Sequence, residues 1–258
     1  MPYTEATLQL LSVDGKLIDN DRTAEYRALV DALSDDGRFG LTLIAFVGSV
    51  FSPYYAWARR GGAPADPDNH CALNVALYGP TRRWTMTERG ARHCARDKHH
   101  FAIGPSHLHW DGSSLLIDIR EVGMPIPLPV RGQVRVHPGR LFDFSTRIDP
   151  HGRHRWGPIA PSARVEVDLG FPGQRWCGQA YLDSNEGDEP IDRACREWDW
   201  SRSPLADGST AVFPHFVFDR AKPGMVTVDG TGRRFLNEST SYHLFGIGMQ
   251  EANRQRPS

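Results

Sequence analysis

Cysteine is scarce: four copies, Cys71, Cys94, Cys177 and Cys195, lie far apart in 258 residues with no C-x-x-C pair. That excludes a small disulfide-stapled scaffold and points to reduced thiols in a cytoplasmic protein. Charge of one sign is lacking too, with 30 Lys+Arg against 31 Asp+Glu and a net charge of -1. No global field therefore favours nucleic acid as a partner. The longest apolar stretch, Leu41 to Phe51, falls well short of the roughly 20 residues a spanning helix needs. The opening MPYTEATLQLLSVDGK lacks a basic region followed by a cleavage site, so no signal peptide is expected. Nucleophile and nucleotide motifs are also missing: there is no G-x-S-x-G, no Walker A and no G-x-G-x-x-G. Asp229-Gly230-Thr231-Gly232 supplies only G-x-G. No internal repeat or low-complexity segment is present.

What the chain does contain is short strand candidates at close intervals. These are Leu41 to Phe51, Ala72 to Tyr78, Arg83 to Thr87, His107 to Trp110, Leu115 to Ile119, Gln133 to Val136, Ala163 to Leu169 and Arg175 to Leu182. Gly, Pro, Asn and Asp punctuate nearly every gap, the pattern of a β-sandwich or barrel. Asp111-Gly112 is the clearest hairpin signal, because Asp-Gly supplies the positive φ of a tight turn. Residues 24 to 36 suit a helix or a strand. Thr87 to Asp97 is the best helix candidate, and Ile191 to Asp199 a short one. The fold class expected is mostly β with minor helix.

On Arg175 to Asp183, period-2 geometry places Cys177, Gln179, Tyr181 and Asp183 on one face and Trp176, Gly178, Ala180 and Leu182 on the other. If the polar face looks into a barrel, a carboxyl and a phenol enter an apolar cavity side by side, an arrangement suited to general acid chemistry. Spacing alone leaves a second role for Asp183, capping a turn through Ser184 to Gly187. The run Glu186 to Asp192 crowds four carboxylates into seven residues, but without calcium-loop spacing it reads as a solvated acidic turn. His107 and His109 share a strand face and have no third ligand in sequence, so no metal is expected. Some of the seven tryptophans lining a cavity would bind an apolar chain and stabilise a cation.

Several ordered motifs carry a family resemblance. Phe46-Val47-Gly48-Ser49-Val50-Phe51-Ser52-Pro53-Tyr54-Tyr55, Asn69 to Gly79, Trp84 to Gly90, His154-Arg155-Trp156, Pro158 to Pro161, and Tyr181-Leu182-Asp183 through Trp198-Asp199-Trp200-Ser201-Arg202 closely resemble carotenoid 1,2-hydratase, also called hydroxyneurosporene synthase. The resemblance runs over about 29–212. It leaves an N-terminal extension at 1–28 and a divergent segment at 213–258. Leu10 to Gly15 is faintly similar to the start of 2-oxo acid dehydrogenase E1 α chains. Pro223 to Gly230 and Arg234 to Glu238 are similar to a fragment of flavin-dependent ketosteroid dehydrogenases.

The hydratase resemblance implies a lipocalin-like β architecture, two-lobed around a cavity, and a hydro-lyase that adds water to the terminal C1–C2 double bond of acyclic carotenoids without a cofactor. It implies Asp183 as proton donor, with Tyr181 and Trp156 beside it. Trp176, Tyr54, Tyr55 and Trp198, all within the span of the resemblance, are the expected substrate-binding aromatics. The partners would be an acyclic carotenoid and water. Phe51 to Arg60 joins aromatics to basic residues in the manner of a lipid-interface segment, and an ordinary core contact explains it as readily. The expected location is cytoplasmic, peripheral on the cytoplasmic membrane face. A competing reading is a non-catalytic lipocalin-like carotenoid-binding protein, since the strands usual after W-D-W-S-R are not recognisable here.

Overall fold

Alternation at a period of two builds most of the molecule. The computed structural model describes residues 25–217 apart from 62–64, 98, 143–144, 192–194, 196 and 206–209. The described chain begins with β1 (Glu25–Ser34) and β2 (Gly40–Val47), then helix α1 (Pro53–Arg60). Strands β3 (Cys71–Tyr78), β4 (Arg83–Arg89), β5 (Cys94–Arg96), β6 (His100–Ile103), β7 (Ser106–Trp110), β8 (Leu115–Val122) and β9 (Pro129–Pro138) follow. Next come β10 (Thr146–Arg147), β11 (His154–Phe171) and β12 (Gln174–Gly187). The chain divides into two compact units, at Ile191 and Asp192.

In the first unit an antiparallel sheet runs β4-β3-β2-β1-β12-β11-β9-β8-β7-β6-β5, with β10 added on β11. It curls into a nearly closed barrel, the mostly-β architecture expected. An isolated bridge from Thr85 to Gly123 and an ion pair from Arg89 on β4 to Glu121 on β8, 3.3 Å apart, tie β4 across the seam. In the second unit β13 (Glu197–Pro204) pairs with β14 (Thr210–Val217).

The core fills the barrel from alternate positions. Tyr26, Ala28, Val30 and Ala32 of β1 pack with Leu41, Leu43, Ala45 and Val47 of β2, and with Trp176, Ala180 and Leu182 of β12. Each large apolar side chain fully buried this way contributes about 1.5–3 kcal/mol. The intervening residues of β1, Arg27, Leu29, Asp31 and Leu33, face the other side of the sheet. Close backbone packing is also required where β1 meets β12: a Cβ on Gly178 would run into the Leu33 carbonyl.

Several expectations change. Thr87 to Asp97 is not a helix; β4 runs through Arg89, a 3-10 turn covers Ala91–His93, and β5 follows. Thr85 and Thr87 pair with Val75 and Leu73 of β3, and Gly90 interrupts any helix, so sheet pairing overrides local propensity. The segment 24 to 36 is strand β1. Of the short helix expected at Ile191 to Asp199, residues 192–194 and 196 lie outside the described residues, and Glu197 onward is β13, where Trp198 and Trp200 favour a sheet.

The strand expected from Leu41 to Phe51 stops at Val47. Gly48 takes a positive φ of 67°, and α1 starts instead. Ser52 caps it, its Oγ accepting from the Tyr55 N–H at 3.0 Å, and Pro53 occupies the first turn, as helix starts favour. The expected extension at 1–28 and segment at 213–258 are described only at 25–28, in β1, and 213–217, in β14. The stretches at Leu10 to Gly15 and Pro223 to Glu238 lie outside the described residues.

Candidate active site

Three strands, β1, β12 and β11, lie side by side and set the site. Register places Asp183 between Leu29 and Pro158, and Asn185 between Arg27 and Trp156. Proline at 158 cannot donate to the ladder, and β11 shifts register between Pro158 and Ala160. Bulges of this kind re-aim side chains and recur beside active sites.

The polar face of β12 does not look into the barrel core; Trp176, Ala180 and Leu182 do. Cys177 and Gln179, further along the polar face, are exposed. Tyr181 and Asp183 on that same face are buried, at 0% and 1% exposure. The turn-capping role for Asp183 is replaced as well, because β12 continues through Gly187.

The Asp183 carboxylate is asymmetric. Its Oδ2 accepts from Trp156 Nε1 at 2.8 Å and from Tyr181 Oη at 2.9 Å. Among the described residues its Oδ1 is buried with no hydrogen-bond partner, so the two oxygens are chemically distinct. Burial pushes the carboxyl up from 3.8 to about 6. The Trp156 and Tyr181 donors and the Arg27 charge oppose that rise, and the Asp31 charge adds to it. Burial dominates, because among the described residues no cation pairs with the group directly.

Around this triad lie residues that were not among the expected site residues. Arg27 Nη2 donates to Asn185 Oδ1 at 3.1 Å. Asp31 stands opposite Tyr181 in register. His154, 1% exposed, is pushed towards its neutral form chiefly by burial, and its backbone N–H reaches Asp149 Oδ1 at 2.7 Å. The signal for Arg27 and Asp31 is in the sequence: two charges four apart on one face of an otherwise apolar segment. Reading it required knowing that the segment is a strand.

The expected site residues separate. Asp183, Tyr181 and Trp156 come together. Trp176 does not join them: it stacks on Phe39 at 6.4 Å within the core on the opposite sheet face, as strand alternation dictates. Tyr55 is buried under α1, its ring 4.7 Å from that of His70, while Tyr54 is 68% exposed. Trp198 is half-buried in the second unit.

Elsewhere, His107 pairs with Asp118 at 3.0 Å. Of the acidic run, Glu186 lies in β12 and pairs with Arg155 at 2.9 Å, and Glu189 with Arg153 at 3.1 Å. Among the described residues no group of three His, Cys, Asp or Glu is arranged to hold a metal. Two surface hollows, of about 860 and 610 Å³, are lined by neither Asp183 nor its two donors.

Comparison with known proteins adds independent information. Residues 43–241 match the family model described as Carotenoid hydratase CrtC. An acyclic carotenoid 1,2-hydratase from Rubrivivax gelatinosus is 67% identical over 185 residues, covering 71% of this chain and 46% of that protein. One from Thiocapsa roseopersicina is 57% identical over 185 residues, 71% of this chain and 45% of that protein. One from Cereibacter sphaeroides is 42% identical over 196 residues, 74% of this chain and 68% of that protein. The chain thus spans about half the length of the first two. A crystal structure of a Nitrosomonas europaea protein assigned as an AttH superposes with a TM-score of 0.52 at 14% identity, covering 76% of this chain and 60% of that one. That likeness concerns the fold alone.

Proposed function

Since the chain belongs to the carotenoid hydratase CrtC family, we propose that it adds water to the terminal C1–C2 double bond of an acyclic carotenoid such as neurosporene or lycopene, with Asp183 as the acid. The observation that carries this reading is the Asp183 carboxyl: fully buried, raised to about 6, and bonded through one oxygen only.

An isolated alkene needs a proton donor, and a carboxyl raised to about 6 by an apolar setting still holds its proton in a fraction of molecules near neutral pH. Two donors occupy Oδ2, so the proton resides on Oδ1, the oxygen free to deliver it. Protonation at C2 leaves a tertiary cation at C1 and a carboxylate. Water captures C1 and loses a proton, which restores the carboxyl; the net change is one water added. Trp156 and Tyr181 hold the carboxylate in place as its charge develops. Their π-faces also suit a cation, worth about 2 kcal/mol when desolvated, some tenfold to thirtyfold in rate.

Incubation of the protein with lycopene or neurosporene in detergent, followed by mass analysis, tests the reading. A product heavier by one water is expected, and Asp183→Asn should abolish it. Turnover retained in Asp183→Asn would remove Asp183 from the role. A carotenoid absorption shift with no hydrated product would favour simple binding instead.

A further inference from the structure

An aromatic stripe on the surface lies outside the acid cluster. Phe51, Tyr54 and Trp57 are 46%, 68% and 75% exposed. Tyr54 and Trp57 are three apart on α1 and share one helix face, and Phe51 precedes them by the same spacing in the entering turn. The opposite face is anchored: Tyr55 is 1% exposed, and the Arg59 guanidinium lies 4.8 Å over its ring. No acid occurs from Val47 to Ala65, while Arg59 and Arg60 close the helix.

We propose that α1 and the turn before it dock the chain on an anionic lipid bilayer. Exposed Tyr and Trp beside the exposed Arg60, with no acid in the segment, are suited to the headgroup boundary, where the rings meet acyl chains and the cation meets phosphates. The attraction is local, because the chain as a whole carries a net charge of -1.

Sheet register supplies the reason for this position, and here the inference rests on the proposed activity. Phe51 packs edge-on against Phe46, ring centroids 5.5 Å apart. Phe46 belongs to the row Trp156–Asn185–Arg27–Phe46, beside the row Pro158–Asp183–Leu29–Ile44. Both rows face away from the barrel core. Two strand spacings and two residues put Phe46 about 12 Å from Asp183 across one sheet face. A hydrocarbon substrate dissolved in the bilayer would thus meet the protein on the face that carries the acid.

The test is co-sedimentation of the full chain with phosphatidylcholine vesicles, with and without phosphatidylglycerol. Binding is expected to be stronger with the anionic lipid and to fall about tenfold in Trp57→Ser/Arg60→Ser. Trp84→Ala, which removes another exposed tryptophan away from α1, should bind as the parent does. Parent protein that ignores anionic vesicles, a double variant that binds undiminished, or an equal loss in Trp84→Ala would each overturn the proposal. So would a lipid-free parental dimer that the double variant dissociates, which would assign the stripe to a second copy. Sedimentation is read without turnover. Vesicle binding by a chain that hydrates nothing sinks the activity alone, and hydration in micelles without vesicle binding sinks the docking surface alone.

Discussion

Replacing Asp183 by Asn separates what the carboxyl costs the fold from what it does chemically. In the unfolded chain the group titrates near 3.8; in the fold, at about 6. Between those values the folded state holds more protons than the unfolded one, so stability falls as pH rises from about 4 to about 6 and stays lower above. At about 1.4 kcal/mol per pH unit, the gap amounts to about 3 kcal/mol at neutral pH. Asparagine cannot ionise, yet its amide oxygen can accept from Trp156 and Tyr181 as Oδ2 does. Those two hydrogen bonds already enter the value of about 6 and take nothing further from the gap. Asp183→Asn should therefore be more stable than the parent by about 3 kcal/mol at pH 8, with most of the advantage gone by about pH 4. Urea unfolding at a series of pH values measures it. Hydration should fall at least a hundredfold in the same variant. A difference in stability that does not change with pH would refute the reasoning, because it would mean that Asp183 is not ionised against a burial penalty.

The parent's kcat/KM should rise as pH falls through about 6 and then level off, since only about a tenth of the carboxyl is protonated at pH 7; a flat profile from pH 5 to 8 would count against it. Trp156→Phe keeps an aromatic face and deletes a donor that lowers the Asp183 pKa, so the midpoint of that profile should move up, whereas Trp156→Leu should also slow turnover about tenfold or more. Arg89→Ala leaves Glu121 buried without its cation at the barrel seam, where Ser106 still donates at 2.7 Å; denaturant titration should show a loss of about 2–4 kcal/mol. Gly178→Ala drives a Cβ into the Leu33 carbonyl and should cost about 1–3 kcal/mol in the same assay.

Much of the barrel was legible because its strands alternate strictly. β8 reads buried, half-buried, buried through Ile119, and Asp111 closes the β7–β8 turn as Asp-Gly suggests, accepting from the Ser113 and Ser114 N–H groups with Gly112 at a φ of 99°. Short or ambiguous pieces were not legible. β5 has three residues and too little pattern to recognise. β1 carries six apolar residues, Tyr26, Ala28, Leu29, Val30, Ala32 and Leu33, that suit either period until β2 and β12 pair with it on both sides.

The same division holds at the candidate site. By itself the sequence determined that Tyr181 and Asp183 share a strand face, since a residue spacing of two fixes that in any strand, and its motifs determined the family. Which way that face points was decided only by tertiary structure. Alternation names two faces but not which one meets the core; burial of Trp176, Ala180 and Leu182 settles that, and puts the acid on the other side. The approach of Trp156 to Asp183 was likewise decided by pairing, because β11 and β12 bring together residues 27 positions apart. The raised carboxyl pKa is a property of that assembly, for desolvation depends on everything packed around a group and not on its neighbours in sequence.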